Sequence, residues 1–562
     1  MGILAKKLPG LALSCILIAL IGKLEAKDLS LLTFEKLNSY NPLEQKSEDI
    51  RYSFYFVHNP IFSLNRDNEW VCRMCKEFPS IDNGLLEVLD SSKNSYDLKI
   101  SFEFDPNFSW GDGKPINGYD LYFTWQASSK LEHRFLGKHF FNRIQQISVD
   151  SNDPRKVTVY LRGKSSLFSD WGEITLLPRH LEKKIWLKHK DHPKSYFNHS
   201  HYNTDPFKPG LYSGFYNPVS SSQLKRSRNL QASQAAYEKI NLIKPSDYAK
   251  TNRKNDFLIP ETFPNEHKKI LNEAKIEKTY PRKDVWGDSM SFEHITVNLR
   301  NPILKDKRIR KALSYGFDKN ALISSVYKNF VSPAAHFLSP QYQGFNHNIT
   351  LYDFDLQKSK KLLDDAEWVI DEATKMRHKM GKPLKISLIT NSDPERVATA
   401  KFLAASWKEI GVELEVKVQK NSLFWTTIKR KAYDGLIMFA WQLPVDRSYY
   451  PLFSSNAVPN IRNQYQGQNI SGWINNKVDR ILINLKTEFS QSKRAAHLQA
   501  LQKIFADEVP MIPLFLKNQV ASLPKDINNF HISGNQFPSS HFVHEWASQN
   551  KKLKLSSKQT TK

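Results

Sequence analysis

The sequence has few cysteines, and outside its N-terminus it has no long apolar run. Only three cysteines occur among 562 residues, so a multi-disulfide scaffold is excluded. Beyond the N-terminus no apolar stretch approaches the roughly 18 residues of a membrane span. Phosphate-cradling Gly-x-x-x-x-Gly-Lys loops, Gly-x-Ser-x-Gly elbows and His-Glu-x-x-His pairs are also absent. We therefore predict no catalytic site, no cofactor and no bound metal.

The charge is strongly one-sided, at +24. Such a charge raises the question of nucleic acid or an anionic surface as partner. However, the lysines are spread along the chain, and no nucleic-acid recognition module is present. We expect a solvated basic surface and no nucleic acid partner. The densest basic stretch, residues 183–190, favours contact with a membrane surface over contact with DNA.

The N-terminus has the pattern of a secretion signal. Lys6 and Lys7 precede an apolar run over residues 8–22, and residues 24–26 form a possible cleavage site. We expect a soluble mature protein that begins near Lys27 and works in the periplasm or cell envelope. Cys15 leaves a lipoprotein open as the less favoured alternative, because the residues before it form a poor lipobox.

Removal of the signal would leave two cysteines, Cys72 and Cys75, spaced as Cys-x-x-Cys. In an exported protein this spacing favours a small disulfide loop. A redox site and a metal site remain alternatives. A four-sulfur zinc site would need a second pair, which the sequence lacks.

Hydrophobic periodicity is clearest between residues 384 and 441. Alternating apolar residues predict strands, and apolar residues at three- and four-residue spacing predict helices. A strand, helix, strand, helix, strand order indicates a parallel sheet with right-handed crossovers, and it places Trp441 at the end of a strand, where ligands bind in such sheets. The predicted elements are a strand at 384–388, a helix at 399–410, a strand at 412–418, a helix at 423–431 and a strand at 435–441.

Two further stretches predict helix starts. In residues 108–125 (FSWGDGKPINGYDLYFTW), a glycine-rich turn precedes Asn117, which can cap a helix that carries Asp120 in its first turn. In residues 306–323 (DKRIRKALSYGFDKNALI), apolar residues share one helical face and Asp318 can cap a second helix.

These two stretches resemble characteristic segments of the extracytoplasmic solute-binding proteins of ABC transporters, family 5, the peptide- and nickel-binding type. The first is similar to the family's Phe-x-Asp-Gly-x-Pro segment and the second to its Arg-x-Ala-Leu-x-x-Ala-Ile-Asp-Arg segment. Further matches follow in the family's order, at residues 177–180 (LPRH), 205–212 (DPFKPGLY), 361–368 (KLLDDAEW) and 472–479 (GWINNKVD).

The resemblance implies an α/β fold, the two-lobed type II periplasmic-binding-protein fold with an extra subdomain in the first lobe. The implied division is a signal peptide at 1–26, lobe I from 27–66 with 195–285 and 505–562, an inserted subdomain at 67–194, and lobe II at 286–504. The implied partners are a peptide or other small solute and the permease subunits of an ABC transporter, with the protein itself acting as a monomer.

The resemblance also implies where a ligand binds. Tyr40 and Asn41 match the family's early loop beside the cleft, and Trp441 matches the first residue of its Trp-x-x-Asp phrase. That phrase's aspartate grips the amino terminus of a peptide in the family, but this chain has Pro444 at that position. Asp446 is the candidate substitute.

Arg447 is then the candidate partner for a ligand carboxylate. Three aromatic residues are further candidates for cleft walls, although core positions are the alternative for each. They are Trp286, Phe424 and Trp425.

The implied function is capture of peptides between two lobes and delivery to the permease subunits of an ABC transporter. Two alternatives remain open at the sequence level. One is the same fold with a non-peptide solute, such as a nickel chelate, a sugar or a cell-wall fragment. The other is an envelope interaction protein that uses its basic surface.

Overall fold

The computed structural model describes residues 28–548, except 35–39, 45–47, 91, 93–94, 132–134, 136, 167–173, 229–234, 236, 252–255, 279, 350, 431–432 and 447. The expected signal segment and Cys15 therefore lie outside the described residues. Within the described part of the chain, no helix combines the length and apolar character needed to span a membrane.

Eleven strands lie among the described residues between 28 and 262. They are β1 (Asp28–Leu32), β2 (Phe62–Leu64), β3 (Trp70–Cys72), β4 (Leu86–Val88), β5 (Leu98–Glu103), β6 (Ile144–Val149), β7 (Lys156–Leu161), β8 (Tyr216–Ser220), β9 (Gln223–Arg226), β10 (Lys239–Ile243) and β11 (Phe257–Thr262).

The remaining strands lie in the second half. They are β12 (Arg282–Val297), β13 (Val331–Pro333), β14 (Val369–Ile370), β15 (Arg377–Lys379), β16 (Lys382–Pro383), β17 (Lys385–Asn391), β18 (Glu413–Gln419), β19 (Leu436–Gln442), β20 (Met511–Pro524), β21 (Ile527–Asn528) and β22 (Ala547–Ser548).

The helices cover the faces and ends of the sheets. They are α1 (Glu48–Val57), α2 (Gly118–Ser129), α3 (Lys138–Arg143), α4 (Arg179–His189), α5 (Pro193–His199), α6 (His201–Thr204), α7 (Pro245–Tyr248), α8 (Pro264–Glu273), α9 (Lys307–Tyr315), α10 (Lys319–Tyr327), α11 (Leu356–Asp365), α12 (Pro394–Lys408), α13 (Asn421–Arg430), α14 (Tyr450–Phe453), α15 (Asn476–Thr487) and α16 (Gln491–Glu508).

One large mixed sheet runs through the molecule in the order β18-β17-β19-β12-β20-β11-β1-β10-β9-β8, with β13 paired to β20. Strands β17, β18 and β19 are parallel, as the sequence predicts. Strands β1, β10 and β11 form a second parallel set. Between the two sets, β12 and β20 pair antiparallel with each other and with their outer neighbours.

The two long strands β12 and β20 connect the halves of this sheet. The first part of β12 pairs with the end of β20, and its last part pairs with both β20 and β19. The register shifts between Asp288 and Phe292, which marks a bulge where the strand passes from one half to the other. The expected lobe border at residue 285 falls inside β12, a strand that hydropathy alone did not reveal, and the lobe borders remain predictions.

A separate antiparallel sheet with the order β4-β5-β7-β6 lies within the stretch where the inserted subdomain is expected. Helix α2 packs against it, and Gly118 lies so close to Val157 that a Cβ at residue 118 would be 2.5 Å from that side chain. The predicted start of α2 is confirmed, because Asn117 caps the helix and Asp120 completes a capping box.

The helix starts predicted in the second half are also confirmed. Asp318 caps α10 through a hydrogen bond from the backbone N–H of Ala321. A separate apolar core lies under these helices and β17 to β19, and it includes Leu313, Leu388, Trp407 and Met438, each fully buried. This core fixes the half of the sheet whose strand ends reach the central cleft.

Candidate functional site

A cleft lies where the two parallel sets of strands point toward each other. Strands β1 and β11 run parallel to β12, toward the half of the sheet that contains β17 to β19. Strand β19 runs antiparallel to β12, toward the half that contains β1, β10 and β11. The carboxyl ends of the two sets therefore meet across the bulge in β12. In open α/β sheets, ligands bind beyond the carboxyl ends of strands.

The cleft encloses about 1550 Å³, including space open to solvent. Both halves line it, through the ends of β1, β11 and β19, the β12 bulge and the segment after β21. Its polar lining is rich in side-chain amides, a group that both donates and accepts hydrogen bonds. Two of them, Asn535 and Gln536, are 7% exposed and already bond within the protein. The amide side chains are Gln442, Gln519, Asn535 and Gln536.

The charged residues of the cleft lining are Arg51, Glu261 and Glu266. Arg51 donates a hydrogen bond from its guanidinium to the carbonyl oxygen of Gln536 (2.7 Å). Glu261 accepts hydrogen bonds from the backbone N–H and the hydroxyl of Ser539, both at 2.6 Å. The same hydroxyl lies 2.9 Å from the hydroxyl of Tyr52. Helix α1, the end of β11 and the C-terminal segment are thus joined at this wall.

Two hydrogen bonds close one end of the cleft. The backbone N–H of Val445 donates to the side-chain oxygen of Gln536 (3.1 Å), and the hydroxyl of Tyr342 donates to the carbonyl oxygen of Gly534 (2.8 Å). A second cavity of about 980 Å³ lies beyond these contacts, with Trp70 among its lining residues.

Tyr40 and Asn41 do not lie on the cleft surface. Tyr40 is 3% exposed, and its ring packs edge-on against Tyr212. Asn41 has no exposed surface, and its side-chain oxygen accepts a hydrogen bond from the backbone N–H of Leu43. Both side chains therefore lie inside the core of the first half, and their role as ligand contacts stays a prediction.

Trp441 lies at the end of β19, as predicted, and is partly exposed. Its ring packs between Phe439 (5.1 Å between centroids) and His294 (6.3 Å). The indole N–H is enclosed and has no hydrogen-bond partner among the described residues. Trp441 thus borders the site, while the next residue, Gln442, contributes to the cleft lining.

Asp446 lines the second cavity instead of the central cleft. Its carboxylate forms an ion pair with Arg494, and both side chains are 13% exposed. Arg494 also donates to the hydroxyl of Ser166 (2.7 Å). An aspartate already paired in this way is a poor substitute for the missing carboxylate at Pro444, and its role in binding a ligand stays a prediction. Arg447 lies outside the described residues.

The three aromatic candidates lie away from the cleft lining. Trp286 is 44% exposed and stacks on Phe330, with ring centroids 4.9 Å apart. Phe424 is fully buried in a small apolar cluster, so it is a core residue. Trp425 is 47% exposed on α13 and contacts Phe439 edge-on.

Cys72 and Cys75 are joined by a disulfide, with their Cα atoms 5.2 Å apart. This separation is within the usual range for disulfides. Among the residues that the structure describes, no group of three or more histidine, cysteine, aspartate or glutamate side chains could hold a metal ion.

Sequence reasoning missed Arg51 and Glu261. Glu261 follows the buried residues Phe257, Leu258 and Ile259 of β11. An apolar strand that ends in a carboxylate is a signal that the carboxyl-end rule could have used. Arg51 gives no such signal, because its place in the cleft depends on how α1 packs against the C-terminal segment.

A model of the family described as Bacterial extracellular solute-binding proteins, family 5 Middle, matches residues 86–460. Among curated proteins, the oligopeptide-binding protein OppA of Bacillus subtilis is 26% identical over 218 residues, which are 38% of this chain and 37% of that protein. The matched regions of the first curated relatives span less than half of their length.

Solved structures are similar over most of the chain. An oligopeptide-binding protein from Thermus thermophilus, complexed with a pentapeptide, is 20% identical with a TM-score of 0.59, and the match covers 93% of this chain and 96% of that one. NikZ from Campylobacter jejuni, in complex with Ni(L-His), is 18% identical with a TM-score of 0.61, covering 93% and 99%. These similarities agree with the two-lobed fold.

Proposed function

The chain belongs to family 5 of the bacterial extracellular solute-binding proteins, and from this premise we propose that it captures peptides in the central cleft and delivers them to the permease of an ABC transporter. The observation that carries the proposal is the cleft itself. It lies between facing strand ends, and amide side chains from both halves line it. A peptide backbone needs such donors and acceptors along its length.

The proposed mechanism is a shift between an open and a closed arrangement of the lobes. A ligand favours closure when only the closed form contacts it from both sides. The lining supports this, since Thr33 and Glu261 come from the first half and Gln442 from the second. No catalytic role is proposed for any of these residues.

Native mass spectrometry of the exported chain tests the proposal. A ladder of peptide masses that leaves on unfolding would support peptide capture. A single non-peptide mass, or nickel retained in chelator-free buffer, would show that the solute is not a peptide. A protein that carries no ligand and binds no member of a peptide library would contradict the transport function. A bound peptide at a hundred times its Kd should stabilise the fold by about 2.7 kcal/mol.

A matched pair of variants locates the binding. Met290→Trp places a bulky ring at the β12 bulge, inside the cleft lining, and should abolish peptide retention. Val418→Trp introduces the same bulky ring on the edge strand β18, where Val418 is exposed, and should retain peptides. Retention by both variants would contradict binding in this cleft.

We also propose that the protein is exported by its first 26 residues, acts as a monomer and contacts anionic membrane surfaces through α4 and the residues after it. The exposed lysines there form no ion pair within the described part of the chain, which favours attraction to anionic lipid. They are Lys184, Lys188, Lys190 and Lys194. Replacing all four by glutamine should abolish sedimentation with phosphatidylglycerol vesicles.

A further inference from the structure

Glu261 is a half-buried residue at the wall of the central cleft. It stands near the end of β11 and is only partly exposed, toward the cleft. Its two oxygens each accept one hydrogen bond from Ser539. The hydroxyl of Ser539 also forms a hydrogen bond with the hydroxyl of Tyr52. Contacts among β11, α1 and the C-terminal segment therefore hold the carboxylate in a fixed position.

Among the described residues, no cationic side chain forms an ion pair with Glu261. Among the other enclosed carboxylates in the described part of the chain, Asp120 likewise has no ion pair, but Glu293 does. Glu293, which is fully buried, contacts Arg396 at 2.6 Å and Lys517 at 3.4 Å. Burial raises the pKa of Glu261, and the hydrogen bonds from Ser539 offset part of that rise. An enclosed carboxylate without a counter-ion is costly, and a ligand cation would remove that cost.

The charge of the cleft differs in sign from that of the protein. Its charged lining residues are two carboxylates, Glu261 and Glu266, and one guanidinium, Arg51, although the whole chain carries +24. A site for anionic solutes would need the opposite excess. The lining therefore favours a solute with a positively charged group.

We infer that Glu261 anchors an ammonium group of the ligand. The inference rests on the proposed peptide function and names the part of the peptide that is recognised: its amino terminus or a lysine side chain. The anchor stands on the first half of the protein, whereas Pro444 offers no carboxylate and Asp446 is neutralised by Arg494.

Isothermal titration calorimetry at neutral pH tests this assignment with three probes. They are tetra-alanine, its N-acetylated form, and N-acetyl-Ala-Ala-Ala-Lys. We expect acetylation of tetra-alanine to weaken binding to the full protein by about 10- to 100-fold, since a buried hydrogen bond to a charged group is lost. Recovery of binding by the lysine peptide would assign the anchor to a side-chain ammonium, and its absence would assign it to the amino terminus.

The variant Glu261→Gln keeps an oxygen that can accept from Ser539 but removes the charge. It should weaken binding of tetra-alanine by a similar factor and should no longer distinguish the acetylated peptide. Glu273→Gln removes one carboxylate from the end of α8, where Glu273 pairs with Lys269 outside the cleft lining, and should bind as the unmodified protein does.

The outcomes separate the inference from the function on which it rests. Equal affinity for all three probes would overturn the role of Glu261 and leave peptide capture standing. Absence of binding for all three probes would overturn both. The comparison of the three probes needs no variant, so it shows whether an ammonium is recognised even if Glu261→Gln does not fold. Glu266→Gln, at the other carboxylate of the lining, should then keep the same discrimination, and its loss in that variant would overturn the assignment to Glu261.

Discussion

The side-chain oxygen of Gln536 accepts a hydrogen bond from the backbone N–H of Val445 at 3.1 Å, which joins the C-terminal segment to the loop after β19. The neighbouring bond from Tyr342 to the carbonyl of Gly534 joins the C-terminal segment to a second loop of the other half. These direct contacts hold the cleft together at one end.

Tyr342→Phe should shift the ligand-free protein toward a more open arrangement. The substitution removes one buried hydrogen bond, worth about 0.5–1.5 kcal/mol, and leaves the Gly534 carbonyl without that donor. Small-angle X-ray scattering should show a larger radius of gyration. Tyr465→Phe, at an exposed tyrosine, is the control, and identical scattering from both variants and the unmodified protein would contradict the expectation.

The buried ion pair between Glu293 and Arg396 should be essential for stability. Arg396 binds both oxygens of Glu293, at 2.6 and 2.9 Å. Arg396→Met should lower the free energy of unfolding by about 3–5 kcal/mol, since it strips a buried carboxylate of its main partner. Urea denaturation measures this. Lys375→Met, in an exposed pair with Glu372, should change it by less than about 1 kcal/mol.

The same pair predicts acid sensitivity. Burial alone would raise the pKa of Glu293, but attraction to Arg396 and Lys517 outweighs it and lowers that pKa below 4.5. A carboxyl whose pKa is lowered by folding contributes stability above its unfolded pKa, and that contribution is lost as the pH falls through the folded value. Stability should therefore decline below about pH 4.5, and less so in the Arg396→Met variant.

His531 should make stability depend on pH in a higher range. Burial, with a smaller contribution from Arg66, lowers the pKa of His531 from 6.5 to about 4. The unfolded chain then binds a proton that the folded chain does not, so stability falls as the pH drops from about 6.5 to about 4. His531→Gln should reduce the slope of melting temperature against pH across this range. Other histidines whose pKa burial also lowers to about 4, such as His267 and His336, account for the remaining slope. His192→Gln, at an exposed histidine, should not, and equal slopes would contradict the prediction.

The disulfide between Cys72 and Cys75 should contribute modestly to stability. It closes a very short loop, for which the chain-entropy estimate is about 2 kcal/mol. Replacing both cysteines by alanine should lower the free energy of unfolding by that amount and leave peptide affinity unchanged. Reductant should lower the free energy of unfolding of the unmodified protein but not that of the double variant. An unchanged free energy of unfolding for the unmodified protein in reductant would contradict the presence of the disulfide.

Local patterns predicted local structure well. The cap at Asn117 and the alternation of strands and helices from β17 to β19 follow from short-range chemistry, namely capping hydrogen bonds and hydrophobic period. The family resemblance supplied the two-lobed fold, which periodicity alone could not assemble.

The site was harder to predict because it depends on contacts between distant segments. The family resemblance implied that Tyr40 lies beside the cleft, but its ring packs on Tyr212, a residue far along the chain. Asp446 carries the right charge, but its carboxylate forms an ion pair with Arg494 of α16. Glu261 is positioned by hydrogen bonds from Ser539, which is also distant in sequence. The only local signal for Glu261 is its position near the end of an apolar strand.

The long strand β12 restricts the number of residues that the chain can have between Phe292 and Val297. Side chains alternate between the two faces of a strand, so one inserted or deleted residue after Phe292 would turn every later side chain of β12 to the opposite face. Glu293 would leave Arg396, and the apolar Ile295 and Val297 would leave their core. Homologous chains can vary freely in their surface loops, but between Phe292 and Val297 we expect them to tolerate substitutions and to reject insertions.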